Sequence, residues 1–355
     1  MIVCEPVVVL ADRKPKTSKI DRHIAVIAAD STGMKETGFG SIETCLTIFE
    51  VLKGHYKRVE FHAVSTRADL ERIATIAPDL AVLCGKYVVE KRNETKIWFS
   101  EFFSSHGIEF TGSDRAGLEF DSNKSKAKTV LLNKGIATAK FFLARPGQYQ
   151  TEQMLPIPLP LFIKPLDAAN GNGIDENSIA HDFAGYEAKV AELFAIYGVA
   201  PLVEELLPGR EYSVAILDDT RKNKRQVWPV EIIAPQNTNG DRILGSREKS
   251  NNSESLHNVA EPLLSAVSRV AEEAFSALGA REFGRIDVKL DAKGVPHFIE
   301  ANLVPGMTPD TSYFPRACAI GSAATGHDSQ RMTQNDVVLK ITEAALSRVG
   351  VAAAL

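Results

Sequence analysis

From residue 24 onward the chain alternates short apolar runs with amphipathic stretches. Residues 24–29 form a continuous apolar run of strand length, the pattern of a strand buried on both faces. A Gly/Ser/Thr stretch follows, with glycines at Gly33, Gly38 and Gly40. Ser41 then stands as the cap of a helix reaching Leu52, because Ile42, Cys45, Ile48, Phe49 and Leu52 recur at helical spacing. Residues 59–64 and 80–84 predict further strands, and 96–106 a helix ending near Gly107. This strand–helix rhythm predicts a small parallel sheet with helices on its faces.

Residues 121–134 predict a helix capped by Asp121 or Ser122 and closed at Gly135. A proline cluster (Pro156, Pro158, Pro160) leads into a strand at 161–164. A helix at 184–196 and strands at 202–205 and 211–217 follow, with 218–225 as a polar hairpin tip. Residues 235–258 contain few apolar side chains. A loop well beyond about 12–15 residues is usually functional or disordered. A helix near 260–278, two strands and a last helix near 337–349 complete the chain.

The two late strands hold most of the chemistry. In residues 283–290, Arg285, Asp287 and Lys289 share one face, and Phe298, Glu300 and Asn302 share a face of 295–302. If Leu290 pairs with Val295 across the turn at 291–294, Asp287 opposes Phe298 and Arg285 opposes Glu300. One sheet face then gathers Arg285, Asp287, Glu300 and Asn302. Two carboxylates and an amide fit a hard cation such as Mg²⁺, which takes one or two carboxylates plus substrate phosphates. The competing reading is a solvated face of cross-strand salt bridges. The run Leu303-Val304-Pro305-Gly306-Met307-Thr308 ends this face at a sharp turn rather than in open solvent.

Composition narrows the classes without naming a reaction. Lys and Arg number 41 against 45 Asp and Glu, a net of -4, which gives no basic surface for nucleic acid. The cysteines Cys4, Cys45, Cys84 and Cys318 lie far apart and read as free thiols of a reducing, cytoplasmic compartment. The apolar start of the chain has no basic stretch before it, and no run approaches the ~20 apolar residues of a membrane span.

Three further segments suit a nucleotide. Lys164-Pro165 ends a strand and precedes a loop with Gly171 and Gly173, whose backbone N–H groups can cradle phosphate while Lys164 supplies charge. No Gly-Lys-Ser/Thr follows, so this is not the Walker pattern. Glu204, Glu205 and Glu211 flank a bend at Pro208-Gly209, where carboxylates can accept bonds from ribose hydroxyls. Taken singly, a plain turn is the better account of the Gly-rich loop, and a charged surface hairpin accounts for the Glu segment at least as well.

In order, these segments are Asn123-Lys124, Phe162-Ile163-Lys164-Pro165 with its Gly-rich loop, Glu204…Gly209-Arg210-Glu211, Gly284-Arg285-Ile286-Asp287-Val288, Glu300-Ala301-Asn302 and Pro305-Gly306-Met307-Thr308. Their series resembles the ATP-grasp enzymes, most closely the D-alanine–D-alanine ligase family. The resemblance runs from about residue 24 to the C-terminus, weakly before Gly107 and strongly after Arg281. It implies an α/β (α+β) protein of three domains: a Rossmann-like parallel-sheet domain (20–120), a central ATP-grasp subdomain (121–215) and a C-terminal one (216–355) with a covering loop at 235–258. It further implies that Lys124 and Lys164 contact ATP phosphates, with the Gly171/Gly173 loop beside them. Glu204 and Glu205 would serve the adenine side and Glu211 the ribose. Asp287, Glu300 and Asn302 would bind Mg²⁺, and Arg285 would stabilise the acyl-phosphate and the tetrahedral intermediate. Thr311 or Ser312 matches a hydroxyl near the substrate carboxylate.

The family's covering loop carries a Tyr-Glu-Ala-Lys-Tyr type segment; here Asp241-Arg242-Ile243-Leu244-Gly245-Ser246-Arg247-Glu248-Lys249 stands instead, so Arg247 or Lys249 takes the place of its lysine. The family's His-Gly…Gly-Glu-Asp-Gly segment is replaced by Leu83-Cys84-Gly85-Lys86-Tyr87-Val88-Val89-Glu90, and its first-substrate glutamate is matched only loosely, by Glu36. The residues assigned to ATP and metal are thus kept while those that read the substrate differ. The expectation is an ATP- and Mg²⁺-dependent carboxylate–amine ligase, a cytoplasmic homodimer, whose substrates need not be two D-alanines. The alternatives are an ATP-grasp enzyme of another branch and a catalytically silent nucleotide-binding protein; the intact Arg285/Asp287/Glu300/Asn302 set speaks against the latter.

Overall fold

The protein is described from a computed structural model covering residues 18–29, 38–90, 95–168, 171–219, 224–237, 240–324 and 331–352. Cys4, Gly33 and Glu36 lie outside the described residues. Strand β1 (Ile20–Ala29) pairs in parallel with both β2 (Tyr56–Val64) and β3 (Leu80–Leu83), in the order β2-β1-β3. Helices α1 (Ile42–His55) and α2 (Arg67–Ile76) make the crossovers. Ser41 caps α1 by accepting from the Thr44 N–H. Alternate residues of β1 are buried on opposite sides. Ile24, Val26 and Ala28 join the large core shared with the C-terminal half, and Ala25 and Ile27 a second core against Phe99, Phe102 and Phe103. This double burial explains the unbroken apolar run.

The next segment departs from expectation. Residues 96–98 belong not to a helix but to β5 (Thr95–Trp98), which pairs antiparallel with β4 (Tyr87–Glu90). Only 99–105 are helical, as α3 (Phe99–Ser105). The pairing of Tyr87 with Trp98, rings 4.9 Å apart, outweighs the local helical pattern. The helix expected at 121–134 is two helices, α4 (Arg115–Ser122) and α5 (Lys124–Asn133). Its cap is Asn123, whose side chain accepts from the Lys126 N–H at 3.0 Å. Asp121 cannot cap because its carboxylate is taken by Lys86 and by the Leu303 N–H.

The central sheet, in the order β6-β9-β7-β8, comprises β6 (Phe141–Leu143), β7 (Leu161–Lys164), β8 (Ile179–Ala180) and β9 (Leu202–Glu205), all antiparallel, with α6 (Phe183–Tyr197) on one face. The C-terminal sheet, β12-β11-β10-β13-β14, is built from β10 (Glu211–Asp219), β11 (Lys224–Ile233), β12 (Ser255–Asn258), β13 (Phe283–Leu290) and β14 (Pro296–Asn302). The stretch 235–258 is not bare loop: it holds α7 (Ser246–Asn251) and β12. Helices α8 (Leu263–Ala277), α9 (Tyr313–Ala324) and α10 (Gln334–Ala352) pack around this sheet. Among the described residues no helix is long and apolar enough to cross a membrane.

Candidate active site

The β13–β14 hairpin sets the site, in a register other than the expected one. Leu290 pairs with Pro296, not Val295, and Val288 opposes Phe298. A β-bulge at Ile299 then slips the ladder, so that Asp287 opposes Glu300 and Arg285 opposes Asn302. The bulge is held from outside the hairpin. The Phe298 N–H donates to the Ala137 carbonyl at 2.8 Å, and the Thr138 hydroxyl to the Phe298 carbonyl at 2.9 Å. The anticipated grouping of Arg285, Asp287, Glu300 and Asn302 therefore forms, through a bulge rather than a uniform register.

Asp287 is buried and fully engaged. Ser213 Oγ donates to its Oδ1 at 2.7 Å, and Arg285 grips it through Nε at 3.0 Å and Nη2 at 2.9 Å. Burial disfavours the Arg285 cation, but Asp287, Glu300 and Tyr313 together outweigh that and raise its pKa. Glu300 lies 3.6 Å from Lys124 Nζ. Burial opposes its ionisation, yet Lys124, Lys249, Lys164 and Arg285 together hold its pKa down at about 2. Lys124 also donates to the Ala168 carbonyl at 2.8 Å, at the start of the Gly-rich loop.

Across the cleft, Glu204 on β9 sits between two buried lysines. Lys164 Nζ is 2.8 Å and Lys128 Nζ 2.6 Å from its oxygens, and Lys128 also donates to Thr138 at 2.6 Å. Burial disfavours the Glu204 anion, but the two lysines outweigh it and keep its pKa low. Lys128 escaped the sequence reading, although it lies one turn after Lys124 and so on the same face of α5. Removing one partner of a buried pair strands the other charge. Lys128→Met is expected to cost about 3 kcal/mol, read as a lower urea midpoint at unchanged slope. An unmoved midpoint would show that the second lysine adds no stability.

These groups line two adjoining cavities. The first, of about 730 Å³, lies between the two antiparallel sheets. It combines apolar walls (Phe162, Ile174, Leu207, Phe298) with Lys128, Lys164, Glu204, Glu205 and Glu211. Glu211 is held by Lys289 at 2.9 Å, and Glu205 accepts from the Lys140 N–H at 2.8 Å. The second, of about 1810 Å³, opens toward the N-terminal sheet and is lined in part by Lys86, Lys124, Arg285, Asn302, Thr311 and Ser312. Lys249 of α7 and Glu300 line both. Ser312 is held by accepting from the Thr308 N–H at 3.1 Å, beside Gly306, where a Cβ would come within 2.7 Å of its oxygen.

Gly171 and Gly173 are not among the residues lining either cavity. Gly171, at φ +72°, meets the covering segment instead; a Cβ there would stand 2.9 Å from the Gly245 carbonyl carbon. Among the described residues no group of three or more His, Cys, Asp or Glu is placed to hold a metal. Asp287, Glu300 and Asn302 supply hard oxygen donors but too few for a closed shell. That fits Mg²⁺, whose remaining positions go to water and phosphate.

A cleft between two antiparallel sheets, lined by ion-paired lysines and carboxylates from both and adjoining a Rossmann-like parallel sheet, defines an ATP-grasp enzyme, a carboxylate–amine ligase forming a C–N bond. The family model described as "D-ala D-ala ligase C-terminus" matches residues 130–331. A D-alanine–D-alanine ligase of Methylacidiphilum infernorum (isolate V4) is 32% identical over 305 residues, spanning 84% of this chain and 90% of that protein. A second such ligase, from Glaesserella parasuis serovar 5 (strain SH0165), is 28% identical over 235 residues, 64% of this chain and 71% of that one. The crystal structure of the D-alanine–D-alanine ligase from Bacillus anthracis complexed with ATP shares the fold, with a TM-score of 0.70 at 20% identity over 93% of this chain and 99% of that one. The chain belongs to the D-alanine–D-alanine ligase family.

Proposed function

We propose that the protein joins the carboxylate of one amino acid to the amine of another, at the expense of ATP and through an acyl-phosphate. The observation that carries this reading is the junction of the two cavities at Lys249 and Glu300. A nucleotide in the first cavity would bring its terminal phosphate there, against a carboxylate held in the second. The lysines at 124, 164 and 249 offset the repulsion between the two anions. Phe162, Leu207 and Phe298 suit a flat base, with Glu204 and Glu205 near it and Glu211 placed for ribose.

Asp287, Glu300 and Asn302 would hold Mg²⁺, which when bound neutralises phosphate charge. Arg285, fixed in one plane by Asp287, donates to the oxygen that gains charge when the amine attacks. Ser312 orients the substrate carboxylate. Segment 240–258, with α7 over the junction, excludes water from an intermediate that would otherwise hydrolyse. The division at 20–120, 121–215 and 216–355 and a homodimeric state belong to the same reading; sedimentation velocity decides the latter.

The test is amino-acid-dependent release of ADP and phosphate across a panel of D- and L-amino acids. The reading expects release that depends on an amino acid. Silence across the panel, with ATP bound, would support a nucleotide-binding protein without turnover instead.

A further inference from the structure

The covering segment carries a carboxylate that no step of the proposed reaction uses. Glu254 lies between α7 and β12, and its side chain is wholly buried. Neither of its oxygens has a hydrogen-bond partner in good geometry among the described residues. A buried, incompletely paired anion costs free energy, so what it holds in place is worth asking.

Its surroundings are the first turn of α9. Arg316 Nη1 stands 3.7 Å from Glu254, and the Tyr313 hydroxyl lies beside the carboxylate, itself buried with no partner elsewhere among the described residues. Tyr313 and Arg316 are three residues apart on the helix, so both can face one group. That group sits at the positive end of α9, where a carboxylate is favoured. Burial first, and then the Glu254 anion, push the Tyr313 pKa up, so the hydroxyl keeps the proton it can donate to Glu254.

The ring of the same tyrosine reaches the reaction centre. Tyr313 lines the second cavity, and its ring centre is 5.6 Å from the Arg285 guanidinium carbon. Asp287 grips that guanidinium through two bonds, and the ring adds a second, independent restraint on it. Contacts therefore run from the covering segment to Arg285 by way of α9: Glu254 to the Tyr313 hydroxyl, and the Tyr313 ring to the guanidinium.

We propose that Glu254 and Tyr313 are positioning residues: Glu254 seats the covering segment on α9 by holding the Tyr313 hydroxyl, and the Tyr313 ring sets Arg285 for the step in which the amine adds. The inference rests on the ligase reading above. Tyr313 acts through Arg285, and Glu254 through Tyr313. The competing reading is a pair that only stabilises the packing of β12 against α9; it predicts lost stability with no effect that depends on Arg285.

The experiment is a pair of double-mutant cycles on amino-acid-dependent ADP release by the full chain, with thermal midpoints measured alongside. Tyr313→Leu is expected to lower kcat about tenfold with KM nearly unchanged, and to cost less than about twofold in an Arg285→Ala background. Glu254→Ala and Tyr313→Phe should each cost about threefold, and the two together no more than either alone. Glu254→Gln, which keeps an acceptor of the same shape, should recover most of the rate lost in Glu254→Ala. A Tyr313→Leu loss of equal size with and without Arg285, or an undiminished kcat in Tyr313→Leu or Glu254→Ala, overturns the proposal and leaves the ligase reading intact. Absence of ADP release with every amino acid overturns the ligase reading. The Arg285 Nε–Hε resonance of ¹⁵N-labelled protein, assigned by its loss in Arg285→Ala, decides in that case. A shift or broadening of that resonance in both Tyr313→Leu and Glu254→Ala supports the positioning role, and a resonance unchanged in either rules it out.

Discussion

Glu300→Gln is expected to lower turnover by about 10³-fold, the scale of removing one preorganised charge from a reacting centre. The side chain keeps its shape and loses only its charge. Glu300 is the carboxylate common to both cavities, held as an anion by four cations with a pKa of about 2. Without it, Lys124 loses its ion-pair partner, and on the proposed reading a divalent cation would lose one of two carboxylates. The check is steady-state ADP release at saturating ATP and several Mg²⁺ concentrations, with the thermal midpoint measured alongside. A rate within a few-fold of wild type at all Mg²⁺ concentrations would remove Glu300 from the mechanism.

The second large effect is expected at Arg285. Arg285→Ala should cost about 10²-fold in kcat with a smaller change in KM, because the guanidinium acts on charge that develops during the reaction. Its orientation is set by the paired bonds to Asp287, at 3.0 and 2.9 Å, and by the Tyr313 ring 5.6 Å away. Added guanidinium should restore part of the rate in the variant and none in the wild type. A KM effect with kcat preserved would place Arg285 in ground-state binding only.

The fold and the site were legible to different depths. Elements whose signal is local came through: the buried run of β1, the Ser41 cap of α1, and the strands that carry Lys164, Glu204 and Asp287. What failed depended on partners far away in the chain. The bulge at Ile299 exists because Ala137 and Thr138 bind Phe298, contacts about 160 residues apart that no hairpin rule contains. Residues 95–98 form a strand because Tyr87 and Trp98 pair, and Asn123 rather than Asp121 caps α5 because Lys86 and Leu303 claim the aspartate. Helix α9 was missed because Pro315 and Gly321 fall within Tyr313–Ala324 and read locally as helix breakers. Lys128 was missed because a lysine in the sequence Lys124-Ser125-Lys126-Ala127-Lys128 reads as one of a solvated row, whereas it is fully buried against Glu204.

The most direct measurement is the fate of oxygen in the carboxylate substrate. With that carboxylate labelled with ¹⁸O, attack on the terminal phosphate of ATP transfers one labelled oxygen to the phosphate released when the amine adds. The account predicts one ¹⁸O in inorganic phosphate per amide formed, read by mass spectrometry or by the ³¹P isotope shift. Amide formed with unlabelled phosphate would show that the carboxylate never attacks ATP, and would contradict the assignment of the Lys249–Glu300 junction as the place where nucleotide and substrate meet.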